Sequence, residues 1–237
     1  TYDGTQKSVT VTTVPAGLAV VVTYEGSTTP PSAAGSYAIV ATVNDSNYLG
    51  SAEGTLVISG LSHSIELVEG WNLVSFNLIP NDPDIEVVLA DILDDVTLVY
   101  AWDASVVTSN WLRYDPTVGF GNTLTNLDEA MGFWIFMNEA ATLTLTGTVP
   151  TSTAIQLYSG WNLIGYPSQT AAGLPAALAE LAGNYDLIVA YHAADLADPW
   201  KLFDPEAPVF ANDLESLQPG WGYWLNVVAD DTLNINY

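Results

Sequence analysis

The chain has 237 residues, with 27 Asp and Glu against three Lys and Arg, a net charge of −24 and no cysteine. Such a surface repels phosphate backbones and anionic lipid, which excludes nucleic acid as a partner. The missing thiols exclude a disulfide framework, thiolate metal sites and a cysteine nucleophile.

Along the chain, residues 1–60 are rich in Thr, Val, Gly and Ser and lack Trp. "KSVTVTTV", "GLAVVVTYEG", "GSYAIVATVND" and "GTLVISG" alternate with period two between Pro, Gly and Asn turns, which predicts four strands in a small all-β domain. The motifs Tyr2-Asp3-Gly4-Thr5, Pro15-Ala16-Gly17, Ala34-Gly35-Ser36-Tyr37 and Asn44-Asp45 followed by Asn47-Tyr48 and Gly50 resemble the MBG/YDG repeat domains of bacterial surface proteins and adhesins. The resemblance implies a β-sandwich or β-grasp-like domain. Members of that family usually carry another strand before the Tyr-Asp-Gly turn, and here it is missing.

The remainder is duplicated. "IELVEGWNLVSF" pairs with "IQLYSGWNLIGY", Trp71 recurring as Trp161 at an offset of 90 residues. Ile85, Leu89 and Ile92 match Leu174, Leu178 and Leu181; Trp111 matches Trp200; Gly132 and Trp134 match Gly222 and Trp224. Each copy predicts a strand entered through Gly-Trp-Asn-Leu and a helix at about 83–94 or 173–182, with Pro83 in the first turn behind Asp82 as cap. A hairpin at 96–102 and 110–115 follows, then a second at 132–138 and 141–147. The expected fold class is therefore mainly β with α+β repeats: an all-β domain at 1–60 and two homologous antiparallel α+β modules at 61–150 and 151–237. The repeat resembles tandem "GWNLIS … W-YDP … GYWI … TLTVTG" modules of large secreted and surface proteins, a resemblance that implies no chemistry.

Signals for catalysis are absent. His63 and His192 would have to converge from distant segments to hold a metal, and no nucleophile-elbow pattern is present. Hard cations want several carboxylates on short loops. If calcium is held, the candidates are Asp82, Asp84, Asp94, Asp95, Asp230 and Asp231; the simpler reading is charged loops and acids at helix N-termini. The tryptophans matched between copies (Trp71/Trp161, Trp111/Trp200, Trp134/Trp224) are expected in the core, whereas the unmatched Trp102 and Trp221 are the candidates for an exposed, sugar-binding surface.

No apolar run approaches the roughly 18–20 residues that span a bilayer, so membrane insertion is not expected. Thr1 opens on a turn-like motif and Tyr237 closes on a strand-like run, which suggests a processed chain or a fragment. The sequence reads as a non-enzymatic, secreted or cell-surface structural or adhesive protein, with a filament or envelope-layer subunit as its sharpest form. In that form "TLNINY" is a donor for strand addition to another copy. The alternatives are a carbohydrate-binding appendage and a non-catalytic part of a secreted hydrolase. Expected partners are further copies, other surface proteins or glycans.

Overall fold

The computed structural model describes Tyr2 and residues 4–236. Asp3 of the Tyr-Asp-Gly-Thr motif and Tyr237 of the final run lie outside the described residues. Two compact units are present, Thr1–Leu61 and Ser62–Tyr237.

In the first unit β1 (Val20–Tyr24), β2 (Gly35–Val43) and β3 (Ser51–Ile58) form one antiparallel sheet in that order. Alternation along β2 buries Ile39 and Ala41 beside Tyr24 and Ile58, while the intervening residues face solvent. Of the four expected strands, the one at 7–14 does not form. The backbone N–H of Lys7 donates to Pro31 O and that of Val9 to the Tyr24 hydroxyl. Pro30 and Pro31 have no N–H to return, so no ladder can grow there. Among the described residues the unit thus has a single sheet and no second layer of a sandwich.

The second unit contains both copies. The first runs through β4 (Leu61–Leu67), β5 (Gly70–Ser75), β6 (Ile79–Pro80), α1 (Ile85–Val88), β7 (Val96–Trp102), β8 (Trp111–Tyr114), β9 (Gly132–Met137) and β10 (Ala141–Thr148). The second runs through β11 (Ser152–Leu157), β12 (Gly160–Ile164), β13 (Ala172–Gly173), β14 (Tyr185–Tyr191), β15 (Trp200–Phe203), β16 (Ser216–Leu217), β17 (Tyr223–Val227) and β18 (Asp231–Asn236). Each copy has a four-stranded antiparallel sheet of the same order, β5-β9-β7-β8 in one and β12-β17-β14-β15 in the other. Even the irregularity in register recurs, between Val96 and Leu98 and between Tyr185 and Leu187.

The segments expected as a second hairpin are strands, but they do not pair with each other. After Glu139 and Ala140 the chain leaves the four-stranded sheet, and β10 joins β4 and β6. That turn lets Phe133, Ile135 and Met137 of one layer face the same interior as Leu143 and Leu145 of the other. In the second copy β11 and β18 are paired along their length, from Ser152↔Asn236 to Leu157↔Asp231. The final run, expected as a donor to another copy, is therefore already a ladder strand of its own unit. The Glu180 carboxylate also accepts from the backbone N–H of Asn234 at 3.3 Å.

The helices are shorter than predicted. α1 covers four residues, and Asp84, not Asp82, caps it by accepting from the Glu86 N–H at 2.9 Å. Asp82 closes the preceding turn by accepting from the Asp84 N–H. Beyond Leu89 the chain carries Asp91, Asp94 and Asp95 and no base, which opposes the negative end of a helix. It continues as a 3-10 turn at Leu93–Asp95. Residues 176–181 of the second copy are likewise 3-10, kinked at Leu178. The apolar face survives this shortening: Ile85, Leu89, Ile92, Leu178 and Leu181 are all buried.

Gly-Trp-Asn acquires a precise local role. Gly70 and Gly160 have φ of +89° and +96°, a left-handed turn that glycine adopts without penalty. Neither is needed for close packing, since an added Cβ would meet nothing within 4 Å. Asn72 accepts from the Val68 N–H at 2.9 Å and donates to Val68 O at 2.8 Å and Gly70 O at 3.1 Å. Asn162 repeats this with Tyr158 at 2.9 and 2.8 Å and Gly160 O at 3.0 Å. A buried amide thus satisfies the turn that launches each copy's first sheet strand.

Candidate functional site

Strand alternation gives each four-stranded sheet two unlike faces. One is aliphatic and sealed: Val99, Ala101, Ile135 and Met137 in the first copy, Ile188, Ala190, Leu225 and Val227 in the second. The other is aromatic. Directly opposed cross-strand partners share a face, so the pairs Leu73↔Trp134, Tyr100↔Trp134 and Trp102↔Trp111 place these rings together. Leu163↔Trp224, Val189↔Trp224 and Tyr191↔Trp200 do the same in the second copy.

The expectation that the matched tryptophans fill the core is overturned. Trp71 is 37% exposed, Trp161 41%, Trp111 47% and Trp200 49%. Aliphatic side chains from the opposite face already fill each core. Among the described residues of this unit, the tryptophan face is covered in part by the other copy.

That cover is reciprocal. Trp134 lies 5.3 Å from Tyr191 and 5.8 Å from Trp200, ring centre to ring centre. Its counterpart Trp224 lies 5.7 Å from both Trp102 and Trp111. Most of these rings meet edge to face, the geometry their quadrupoles favour. The strands touch through two isolated bridges, Val74↔Trp221 and Met131↔Ile164, which exchange with each other when the copies are exchanged. An added Cβ on Gly132 would stand 2.5 Å from Ile164 O, and one on Gly222 would stand 2.7 Å from Val74 O. Both glycines are therefore required by close approach. Ser75 stitches the same seam, donating to Trp221 O at 2.6 Å and accepting from the Tyr166 N–H at 3.2 Å.

Two grooves open on the aromatic faces. The first, about 710 Å³, is walled by Trp71, Tyr100, Trp111 and Trp134 of one copy and Tyr191 and Trp200 of the other. The second, about 600 Å³, is walled by Trp161, Leu187, Val189, Trp200 and Trp224, with Trp102 and Trp111 from the first copy. Trp111 and Trp200 border both. Two hydrogen-bonding side chains share these faces by register: Arg113 opposite Tyr100, and Asn226 opposite Trp161.

Charged side chains fix the edge strands. Arg113 pairs with Asp115, whose carboxyl is held below its usual value chiefly by the Thr117 hydroxyl and N–H. Lys201, next to Trp200, reaches Asp198 at 3.1 Å, Asp195 at 3.2 Å and Asp213 at 3.8 Å. The recurrent Asp-Pro motifs act as loop clamps. Asn122 accepts from the Asp115 N–H and donates to its carbonyl, and Asn212 repeats both bonds on Asp204.

Of the predicted ligand residues, Trp102 joins the second groove, where its indole N–H donates to Trp161 O at 3.0 Å. Trp221 does not. It stacks on His192 at 4.6 Å and packs on the second core. His63 and His192 border one recess of about 240 Å³, and burial pushes the His63 imidazole below its ordinary value. Among the described residues no three His or acidic side chains gather as a metal site. The candidate acids are dispersed: Asp82 and Asp84 serve the α1 cap, and Asp94 and Asp95 occupy a 3-10 turn. Asp230 accepts from the Ser159 N–H, and Asp231 from Asn184 and the Thr232 N–H. The grooves themselves escaped the sequence reading. The available signal was the recurrence of Trp at positions opposite in parity to the buried Asn72 and Asn162.

No helix is long and apolar enough to cross a membrane among the described residues. No curated protein and no solved structure matches the chain. Residues 1–62 match the family model of the MBG domain, so the motifs at the start of the sequence do belong to such a domain, one typical of surface proteins.

Proposed function

We propose that the chain is part of a secreted, non-enzymatic surface protein with an adhesive role, and that its second unit recognises glycans. The observation that carries this is the pair of open grooves walled by half-exposed tryptophans. Contiguous exposed aromatic surface is costly in water and marks an interaction site. The C–H faces of sugar rings suit the negative face of an indole. The hydroxyls of Tyr100 and Tyr191 offer the few polar contacts that orient a ligand in a mainly apolar groove. The MBG domain supports the surface location.

The test is binding of the full chain to an array of neutral and acidic glycans, beside a Trp111→Ala, Trp200→Ala double variant. The expected result is retention of neutral glycans by the wild type and loss in the variant, with the thermal transition still cooperative. An array on which nothing binds would refute the glycan reading.

A further inference from the structure

The two grooves are neither independent nor identical. They adjoin, because Trp111 and Trp200 wall both. Each draws on both copies, because Trp134 stands against Tyr191 and Trp200, and Trp224 against Trp102 and Trp111. Their private walls correspond by the repeat: Trp71 belongs to the first groove alone and Trp161 to the second alone.

We infer that the grooves are two subsites of one track for a single linear, uncharged polysaccharide chain, with Trp111 and Trp200 forming the threshold between them. The inference rests on the glycan reading above. Linearity follows from two adjoining grooves of comparable size, about 710 and 600 Å³. A branched cap or a lone monosaccharide would engage one groove and leave the other wet. Neutrality follows from charge. The chain carries −24, and an acidic polysaccharide would approach against that field. Filling the second groove with the same chain makes the second contact intramolecular, so affinity should rise steeply with length. The chemistry of the walls adds a polarity. The first groove is all aromatic, while the second adds the aliphatic Leu187 and Val189. A chain would therefore bind in a preferred direction.

The experiment is isothermal titration of the full chain with length series, disaccharide to hexasaccharide, of four neutral linear glycans: gluco-, xylo-, manno- and chito-oligosaccharides. For at least one series the expected result is two disaccharides per chain, and one hexasaccharide per chain bound about a hundredfold more tightly. Trp71→Ala and Trp161→Ala should each cut disaccharide stoichiometry from two to one and erase the gain with length. The wild-type series decides the matter even if a variant folds poorly. Binding with one stoichiometry at every length and no gain overturns the single track while leaving the glycan reading intact. Failure of all four series to bind overturns the single track, and failure of the whole glycan array as well overturns the glycan reading.

Discussion

The two copies share strand order, register irregularity and the turn made by Gly70-Trp71-Asn72 and Gly160-Trp161-Asn162, yet they differ at positions both on and away from the seam. His63, which lines a recess shared by both copies, is Thr153 in the second copy. Asp128, accepting from the N–H groups of Ala130 and Met131, stands where the second copy has Gln218. Phe136 between Trp71 and Leu98 becomes Asn226 between Trp161 and Leu187. Several residues at the seam correspond: Gly132 with Gly222, Trp134 with Trp224, Trp111 with Trp200. The lesson is that the duplication preserves an interface as well as a fold. A contact between equivalent surfaces holds the glycines and tryptophans that meet across it alike in both copies, while Ser75, which is Gly165 in the second copy, and Trp221, which is Met131 in the first, show that its other positions can diverge.

The strongest way to break this equivalence is in the sealed faces. Ile135→Ala and its counterpart Leu225→Ala should each cost about 2–5 kcal/mol, since both side chains are fully buried. Urea unfolding would read this. If the two differ widely, the copies do not have equivalent cores. The seam comes next. Gly132→Ala and Gly222→Ala drive a methyl into backbone carbonyls and should each cost about 1–3 kcal/mol. Gly70→Ala and Gly160→Ala, strained only by their positive φ, should cost about 1 kcal/mol.

Asn72→Ala and Asn162→Ala should each cost about 1–3 kcal/mol, by leaving buried backbone groups of the turn unpaired. Trp111→Ala and Trp200→Ala should cost less, about 1–2 kcal/mol, because nearly half of each residue is already in water. A loss as large as that of Ile135→Ala would show the aromatic face to be core after all.

The smallest effect sharpens the difference between the copies. Burial holds the His63 pKa below 6.5, and among the described residues its buried Nδ1 has no hydrogen-bond partner. The unfolded chain then takes the proton first as pH falls, so stability present above about pH 6.5 is lost below it. Asp128 and Glu129 act oppositely. Burial raises both carboxyls, so their neutralisation favours the folded state as pH falls. The measurement is thus a difference: between pH 7.5 and 5.5 the melting temperature of His63→Thr should fall less than that of the wild type. Equal falls would show that His63 is not held neutral by the fold.

Much of the strand plan was legible in the sequence. Period-two alternation and turn residues place β2, β5, β7, β8, β9 and their counterparts close to where they occur, and matched apolar positions such as Leu89 and Leu178 are buried as periodicity requires. The MBG motifs located the first domain. Local signals failed where a distant partner intervened. The run at 7–14 has strand composition, but the chain beside it is Pro30-Pro31, which cannot complete a ladder. The helix at 83–94 had the right face but too many acids at its end.

What the sequence determined by itself was the duplication, the mainly β fold and the burial of the aliphatic stripe, because these follow from spacing along one chain. Which side of each sheet the tryptophans would occupy, and whether that side would be sealed, was decided only by the tertiary structure. Alternation says that Trp71 and Asn72 face opposite ways but not which way is in. That depended on two glycines letting the copies approach through Ile164 and Val74 while the edges carrying Trp111 and Trp200 stayed open.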